Sequence, residues 1–571
     1  MEKRLILAMV LSAGLLLGWN VLFPPPKPAP TPDPTGAVQS ESGDRERDRR
    51  ELDPMANGDS GLEGDEAGTE LPAVRAATQQ AIVIETAYHV VEFTNRGGAV
   101  RNWKVRWRDE ALPVFPIFAE DDVLPMQIEL DDLELQNAIN EALFTVERGT
   151  GPDGNGERVV FRWSDGRGVE VTKAFVFYQD RELVDVKIDV VDRGRRKASR
   201  LALGPGFGAQ DPGRRRGSYY YEGSGIWRVD GRTTHRKERK LRKDPSQVSG
   251  EIRWAGVEDQ YFAALVLPRE WPAVAQWRAL ERTPVALDGE DDEKDDETEP
   301  QTILSVTIPA DGAQLFIGPK HFARLQALGS ELETAVWFSS NRFLYGITKF
   351  IFFGLVWIQE RVINWGVAIL LATLTLRILL FPVNQYSMVR MKKTQIDMQR
   401  LQPKLKAIQA KFKKKKDAQS RQQMQQEQME LYKREGVNPM GGITGCLPLL
   451  AQFPILIGFY NMLTVAVELR GANFALWISD LSQKDAFYII PILMGISMFV
   501  QQKMAMSKVK DPQQQQQQKI MMVMPFVFTY ICMQMPAGMV LYWFMNNLLG
   551  IGQQWLVNKK TVGLEATAQK A

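Results

Sequence analysis

Reactive and metal-binding side chains are scarce in this sequence. It has two cysteines in 571 residues, Cys446 and Cys532, both in apolar segments. They form no CxxC pair and imply no disulfide framework, so they read as small packing residues. The three histidines, His89, His235 and His321, lie far apart without metal-ligand spacing. No G-x-x-x-x-G-K-[ST] phosphate loop occurs, which argues against a P-loop ATPase. No metal and no cofactor is expected. Charge of one sign is also missing in the aggregate, since the formal net charge is only +2. That balance hides segregation: acidic runs lie in the first two-thirds, and the strongest basic run is Arg390–Lys416.

What is present is apolar length. Trp365–Phe381, WGVAILLATLTLRILLF, is with its flanks long enough to cross a bilayer as a helix. Arg377 interrupts it, and Thr373 sits one turn earlier on the same face. A charge near a bilayer centre costs about 2.5–3.5 kcal/mol on insertion scales, so it commonly marks a polar cavity. The competing reading is that Arg377 snorkels to the interface along its aliphatic stem.

Along the chain, Lys3 and Arg4 precede an apolar run from Leu5 to Phe23. Without a small-x-small cleavage site, residues 1–23 read as an uncleaved anchor with a cytoplasmic N-terminus. Residues 24–70, Pro-rich and then acidic and polar, read as a disordered linker. Residues 71–332 show period-two runs such as Val184–Val190, separated by Gly and Asp turns, and predict a large antiparallel β-sandwich. The charged inserts Arg236–Lys243 and Asp288–Glu299 read as solvated loops. Residues 333–360 predict an interfacial amphipathic helix. A membrane span there would put the basic region on the outside, against the positive-inside rule. Residues 361–383 form the second crossing.

Residues 384–441 predict a basic helical hairpin. Met391, Thr394, Met398, Leu401, Leu405, Ile408 and Phe412 recur at spacings of three and four, a heptad seam. Pro403 is expected to kink or restart the first arm. The tip, Lys413, Lys414, Lys415 and Lys416, suits either anionic lipid or ribosomal RNA. Four further apolar segments within 444–557 complete six crossings, with a short cytoplasmic tail at 558–571. The run Gln513–Gln518 reads as low-complexity filler in an inner loop.

Several stretches together resemble the YidC membrane-protein insertases. These are TLTLRILLFPVNQYSMVRMKKTQ, VNPMGGITGCLPLLAQFPILIGFYNML, VELRGANFALWISDLS and PAGMVLYWFMNN, with TNRGGAV and WAGVEDQYFAALVLP in the β-region. The resemblance implies a polytopic α-helical membrane protein of six transmembrane helices, five forming the insertase core. It also implies a periplasmic β-supersandwich of the Gram-negative branch, resembling that of sugar mutarotases. A hydrophilic groove would open to cytosol and lipid. Arg377 matches the groove arginine. Thr373, Gln452, Tyr542 and Trp543 match positions facing the groove or the incoming chain; the family often has tyrosine at the last. The basic tail of the family is reduced here to Lys559, Lys560 and Lys570.

The implied partners are nascent membrane proteins, the Sec translocon, membrane lipids and, through the basic hairpin, the ribosome, with no DNA. The implied location is the bacterial inner membrane, with both termini cytoplasmic. Read from the residues alone, Gln452 and Asn461 serve either a groove or hydrogen bonds between helices. The expected action is non-enzymatic insertion. One rival is a secondary transporter using the intramembrane arginine, though no internal repeat with interrupted helices is seen. The other is a tethered periplasmic sugar enzyme, though no acid/base constellation stands out. The β-domain is expected to reach the membrane only through the linker and the interfacial helix, and so to be dispensable for insertion.

Overall fold

A computed structural model describes residues 73–116, 123–151, 154–208, 223–282, 299–339, 341–412, 418–436, 447–506 and 512–570. The N-terminal anchor, the linker, the Lys413–Lys416 tip, Cys446 and most of the 288–299 insert lie outside the described residues.

Among the described residues, alternating apolar residues make nineteen strands, all paired antiparallel, between Ala81 and Pro319. Strands β1 (Ala81–Glu85), β2 (His89–Thr94), β3 (Ala99–Trp107) and β4 (Glu110–Pro113) form one sheet in that order. The largest sheet has ten strands and includes β8 (Val169–Phe177), β9 (Leu183–Asp192), β12 (Ser224–Val229), β15 (Ile252–Glu258), β16 (Phe262–Pro268) and β19 (Ala313–Pro319). A five-stranded sheet includes β5 (Ile128–Glu129), β11 (Ser199–Leu203), β17 (Ala273–Arg282) and β18 (Glu299–Ile308). Period two decides which side chains are inside. In β8, Val171, Lys173, Phe175 and Phe177 are buried and face one way. Phe93 meets Phe175 at 5.0 Å, joining the first sheet to the largest. Trp277 joins the five-stranded sheet to the largest by donating to the Gly256 carbonyl at 3.0 Å.

Lys173 explains how the layers lock. Its ammonium donates to the Gly98 carbonyl at 2.7 Å and to the Met126 carbonyl. One side chain therefore ties the β2–β3 turn to the segment entering β5. Gly98 lies in the TNRGGAV stretch, where Gly97 and Gly98 both have positive φ. A Cβ on Gly97 would lie 2.6 Å from the Asn140 carbonyl oxygen, so that turn requires glycine.

The basic stretch Arg236–Lys243 is not a loop, as the sequence had suggested. It ends a strand and then forms a short helix, Glu238–Lys243, with Leu241 fully buried. Its one apolar residue pins it beneath Trp277, because Leu241 and Trp277 share the space above Gly225.

Among the described residues of the β-domain, the shorter helices are α1 (Leu133–Glu141), α2 (Glu238–Lys243) and α3 (Phe322–Leu328). The chain then enters α4 (Arg342–Val362) and α5 (Trp365–Phe412). Both are long and apolar enough to cross a membrane. Asn341 caps α4 by accepting from the Phe343 and Leu344 amides. The face Thr348, Ile351, Phe352 and Leu355 is buried, and Phe343, Phe350 and Trp357 are exposed.

Helix α5 runs 48 residues without a break, about 72 Å at 1.5 Å per residue. Pro403 neither ends nor restarts it, and no boundary falls at residue 383. Helix α6 (Ala418–Arg434) follows, and Lys411 of α5 pairs with Glu427 of α6 at 2.5 Å. Leu401 and Phe412 of the heptad seam are buried.

The remaining helices are α7 (Leu447–Val465), α8 (Ile489–Ala505), α9 (Pro512–Cys532) and α10 (Ala537–Lys570). Gln513–Gln518 belongs to α9 rather than to a loop, because glutamine tolerates helix well and Pro512 suits its first turn. Residues 558–570, expected as a tail, continue α10.

Candidate functional site

Arg377 lies in α5, one turn after Thr373 on the same face, and its guanidinium reaches α10. On α10, Tyr542, Asn546 and Gln553 recur four and seven residues apart on one stripe. Arg377 Nη2 donates to the Asn546 carbonyl at 3.0 Å, and Nη1 to Gln553 Oε1 at 3.5 Å. The buried Nε of Arg377 has no hydrogen-bond partner. Among the described residues, the groups that meet the guanidinium are neutral. A guanidinium offers five donors and no acceptor, so this one retains donor capacity for a carboxylate.

The other expected residues fall differently. Thr373 is buried, and its hydroxyl donates to the Ile369 carbonyl at 2.7 Å, one turn back on its own helix. Tyr542 is buried and stacks on Phe459 of α7, with ring centroids 4.3 Å apart. Trp543 meets Phe528 of α9 edge-on at 5.6 Å. The structure therefore brings Arg377 and the Tyr542 stripe of α10 together, while Thr373 and Trp543 spend their visible contacts on packing. Gln452 lies in α7, and its side chain lies outside the described ones. Asn461 contributes its carbonyl to the Thr464 hydroxyl.

Reading the sequence missed Asn546, Gln553, Gln501 and Gly550. For Asn546 and Gln553 the signal was available: polar residues at helical spacing on the Tyr542 face of an otherwise apolar helix; Gln501 of α8 and Gly550 carried none. A Cβ on Gly550 would lie 2.4 Å from Gln501 Nε2 and 3.1 Å from Arg377 Nη2. Glycine there lets two polar heads share one space. Among the described residues, no group of three or more His, Cys, Asp or Glu is placed to hold a metal.

A second polar assembly joins the β-domain to the helices. Trp107 Nε1 donates to the Arg470 carbonyl at 3.3 Å. Arg108 donates to the Gly471 carbonyl at 2.6 Å and the Glu468 carbonyl at 2.8 Å. Gln260, in the turn of WAGVEDQYFAALVLP, donates to the Thr464 carbonyl at 2.5 Å. Val467 joins the β-domain's own hydrophobic cluster. The expectation that only a linker and one helix connect the two parts is thus corrected. The 466–488 segment is a docking platform, held by backbone carbonyls that a sequence pattern does not reveal. Asn364, between α4 and α5, donates to the Phe474 carbonyl at 2.8 Å, and the Ala537 amide donates to the Gln483 carbonyl at 2.6 Å. The starts of α5 and α10 therefore share the β-domain's end of the bundle.

Two sequence families match the chain in succession. The YidC periplasmic domain matches residues 82–354, and the 60Kd inner membrane protein matches residues 357–564. A membrane protein insertase YidC from Syntrophus aciditrophicus is 30% identical over 587 residues, covering 98% of this chain and 100% of that protein. One from Geobacter metallireducens is 31% identical over 600 residues, covering 99% of this chain and 100% of that protein. Among solved structures, an active YidC insertase with its first transmembrane domain resolved is 17% identical. It covers 84% of this chain and 93% of its own, with a TM-score of 0.33.

Proposed function

The chain belongs to the YidC family of membrane-protein insertases, and from that premise we propose how it carries a polar segment across a bilayer. It is an inner-membrane insertase with a periplasmic domain, and its substrates are nascent membrane proteins. The polar segment enters a groove from the cytosol and is held near Arg377 by its acidic residues. The adjoining apolar segment slides along α7 and α9 into lipid. Burial drives the step, at about −0.3 to −0.6 kcal/mol per central Leu, Ile, Val or Phe. A negative charge moved outward gains about 2.3 kcal/mol per 100 mV. Neither nucleotide nor covalent chemistry is needed, so the action is not enzymatic. The observation that carries this reading is the guanidinium held by neutral groups with its Nε unpaired.

The same geometry supports a reading of sidedness. The β-domain, the 466–488 segment and the starts of α5 and α10 share one end, which is the periplasmic one. Helix α4 meets the β-domain through Phe352 and Phe322, 5.8 Å apart, and ends near the same platform, which favours an interfacial position. With the N-terminal anchor, α5 and α7–α10 give six crossings and two cytoplasmic termini. The hairpin then faces the cytosol, where Lys413–Lys416 would meet the ribosome. Replacing these four lysines with glutamine is expected to lower the log–log salt slope of ribosome binding by about 3. An unchanged slope removes the tip from the model of binding. Contact with the Sec translocon belongs to the same reading, and copurification with the β-domain deleted tests where it lies: full retention would exclude that domain.

The groove itself is tested by inserting single-span proteins with acidic or neutral outward tails into proteoliposomes. Two unit charges about 4 Å apart attract by roughly 4 kcal/mol at an effective dielectric of about 20, before desolvation. Arg377→Leu is expected to slow acidic tails about tenfold, or about 1.4 kcal/mol, and to spare neutral ones. Arg377→Lys should be largely tolerated. Equal loss for both tails would make Arg377 a structural residue.

A further inference from the structure

Gln553 lies at the junction of α5 and α10 and is only 4% exposed. Its Nε2 donates to the Phe381 carbonyl at 3.4 Å, and its Oε1 faces Arg377 Nη1 at 3.5 Å. The opposite amide orientation would set donor against donor and acceptor against acceptor, so the Phe381 carbonyl decides which end Arg377 meets. Both contacts are long, which makes the hold soft. Gln501 Nε2 and Arg377 Nη2 both border the space that a Cβ on Gly550 would take. A carboxylate at position 553 would satisfy Arg377 permanently. An apolar side chain would leave it unoriented. A neutral amide orients the guanidinium and leaves its charge uncompensated.

We propose that Gln553 is a positioning residue for Arg377, and that its neutrality preserves the insertase's preference for acidic outward segments. This rests on the reading of Arg377 given above. The consequence is that one added charge at position 553 removes the preference while the groove stays polar.

The test uses the full chain in proteoliposomes with the same acidic-tail and neutral-tail substrates. Gln553→Glu is expected to slow acidic tails about tenfold, as Arg377→Leu does, because an internal carboxylate competes for the guanidinium. Neutral tails should stay within about twofold of wild type, since no charge capture is involved, and their insertion also reports a folded core. Gln553→Met keeps the size and neutrality but accepts only weakly and cannot donate to the Phe381 carbonyl, and it should slow acidic tails about threefold. Combining Gln553→Met with Arg377→Leu should be no worse than Arg377→Leu alone, because a residue acting only through Arg377 has nothing left to position.

Three results would overturn the proposal: an unchanged acidic-to-neutral ratio in Gln553→Glu, equal loss of both tails, or an additive double variant. If Arg377→Leu is selective but Gln553→Glu is not, only this proposal fails. If Arg377→Leu is itself unselective, the reading beneath it fails as well.

Discussion

In the β-domain, Glu258 sits fully buried between Lys320 at 2.6 Å and His235 at 2.7 Å. In the helical core, Arg377 sits among neutral amides and carbonyls with Nε unpaired. Burial pushes the Glu258 carboxyl up, but Lys320 and His235 outweigh it and hold the group below its ordinary value. Lys320 also donates to the Asp259 carbonyl at 2.8 Å, so the cluster shares its charge internally. A cluster paired charge to charge in this way specifies one packing and offers little charge to a ligand, although His235 Nε2 is left without a hydrogen-bond partner. The arginine does the reverse: its environment is polar enough to tolerate it and leaves its charge uncompensated. The difference separates a charge that builds a domain from one available to a passing chain.

The largest effect is expected where the closed cluster is opened. Lys320→Met leaves the buried Glu258 with His235 as its remaining partner and should cost about 3–5 kcal/mol of β-domain stability. Adding Glu258→Leu should recover much of that loss, since a well-packed apolar replacement of a buried pair is often neutral or better. Urea unfolding of the detergent-solubilised chain, followed by tryptophan fluorescence, measures both. If Arg377→Leu destabilised the protein as strongly as Lys320→Met, the contrast between the two regions would collapse.

Lys173 sharpens the contrast with a smaller effect. Burial pulls its ammonium from an ordinary value of 10.5 down to about 7. Even as a neutral amine it keeps two N–H donors for the Gly98 and Met126 carbonyls. The native state then binds fewer protons than the unfolded state between pH 7 and 10.5, so stability should rise with pH across that window. Lys173→Met should cost about 2–3 kcal/mol, from two carbonyls stripped of a donor. It should also abolish that rise relative to wild type. A variant that kept the wild-type slope would assign the titration to another group.

How far the sequence announced this arrangement depends on the kind of contact. Period two in Val169–Phe177 placed Lys173 on the inward face, yet a lysine there reads as an exception until its two carbonyl acceptors are seen. Arg377 was visible because charge in an apolar helix is rare. Gln553 was less so, since a glutamine near a helix end has many ordinary uses. The docking of Trp107 and Arg108 on residues 468–471 could not be read at all. Its acceptors are backbone carbonyls, which carry no residue identity. Helices α5 and α10 run on past residues 383 and 558 into polar sequence, because polar residues alone do not end a helix.

Glu468 stands where the two regions meet, and it gives the smallest and most specific test. Burial pushes its carboxyl from an ordinary value of 4.5 up to about 7. The Phe322 amide, its own amide and Arg324 pull it back only in part. His321 Nε2 lies 3.9 Å away, but burial and then Arg324 push that imidazole down to about 4. Between those two values both groups are uncharged, so the contact is not an ion pair at neutral or mildly acidic pH. Arg108 faces the same residue through its carbonyl and supplies no direct carboxylate partner. The docked state therefore favours the protonated acid. Its contribution is complete below pH 4.5 and is lost as pH rises toward 7. Glu468→Gln mimics the protonated form and should strengthen docking by about 1–2 kcal/mol above pH 7, with no gain at the acidic end. Hydrogen exchange of Val467–Gly471 and Arg106–Arg108, corrected for intrinsic rates, reads this directly. Above the window in which His321 titrates, wild-type protection at those amides should fall between pH 6.5 and pH 8, and the variant's should stay level there. If both fell alike, the attachment of the β-domain would titrate through some other group, and Glu468 would be a packing residue.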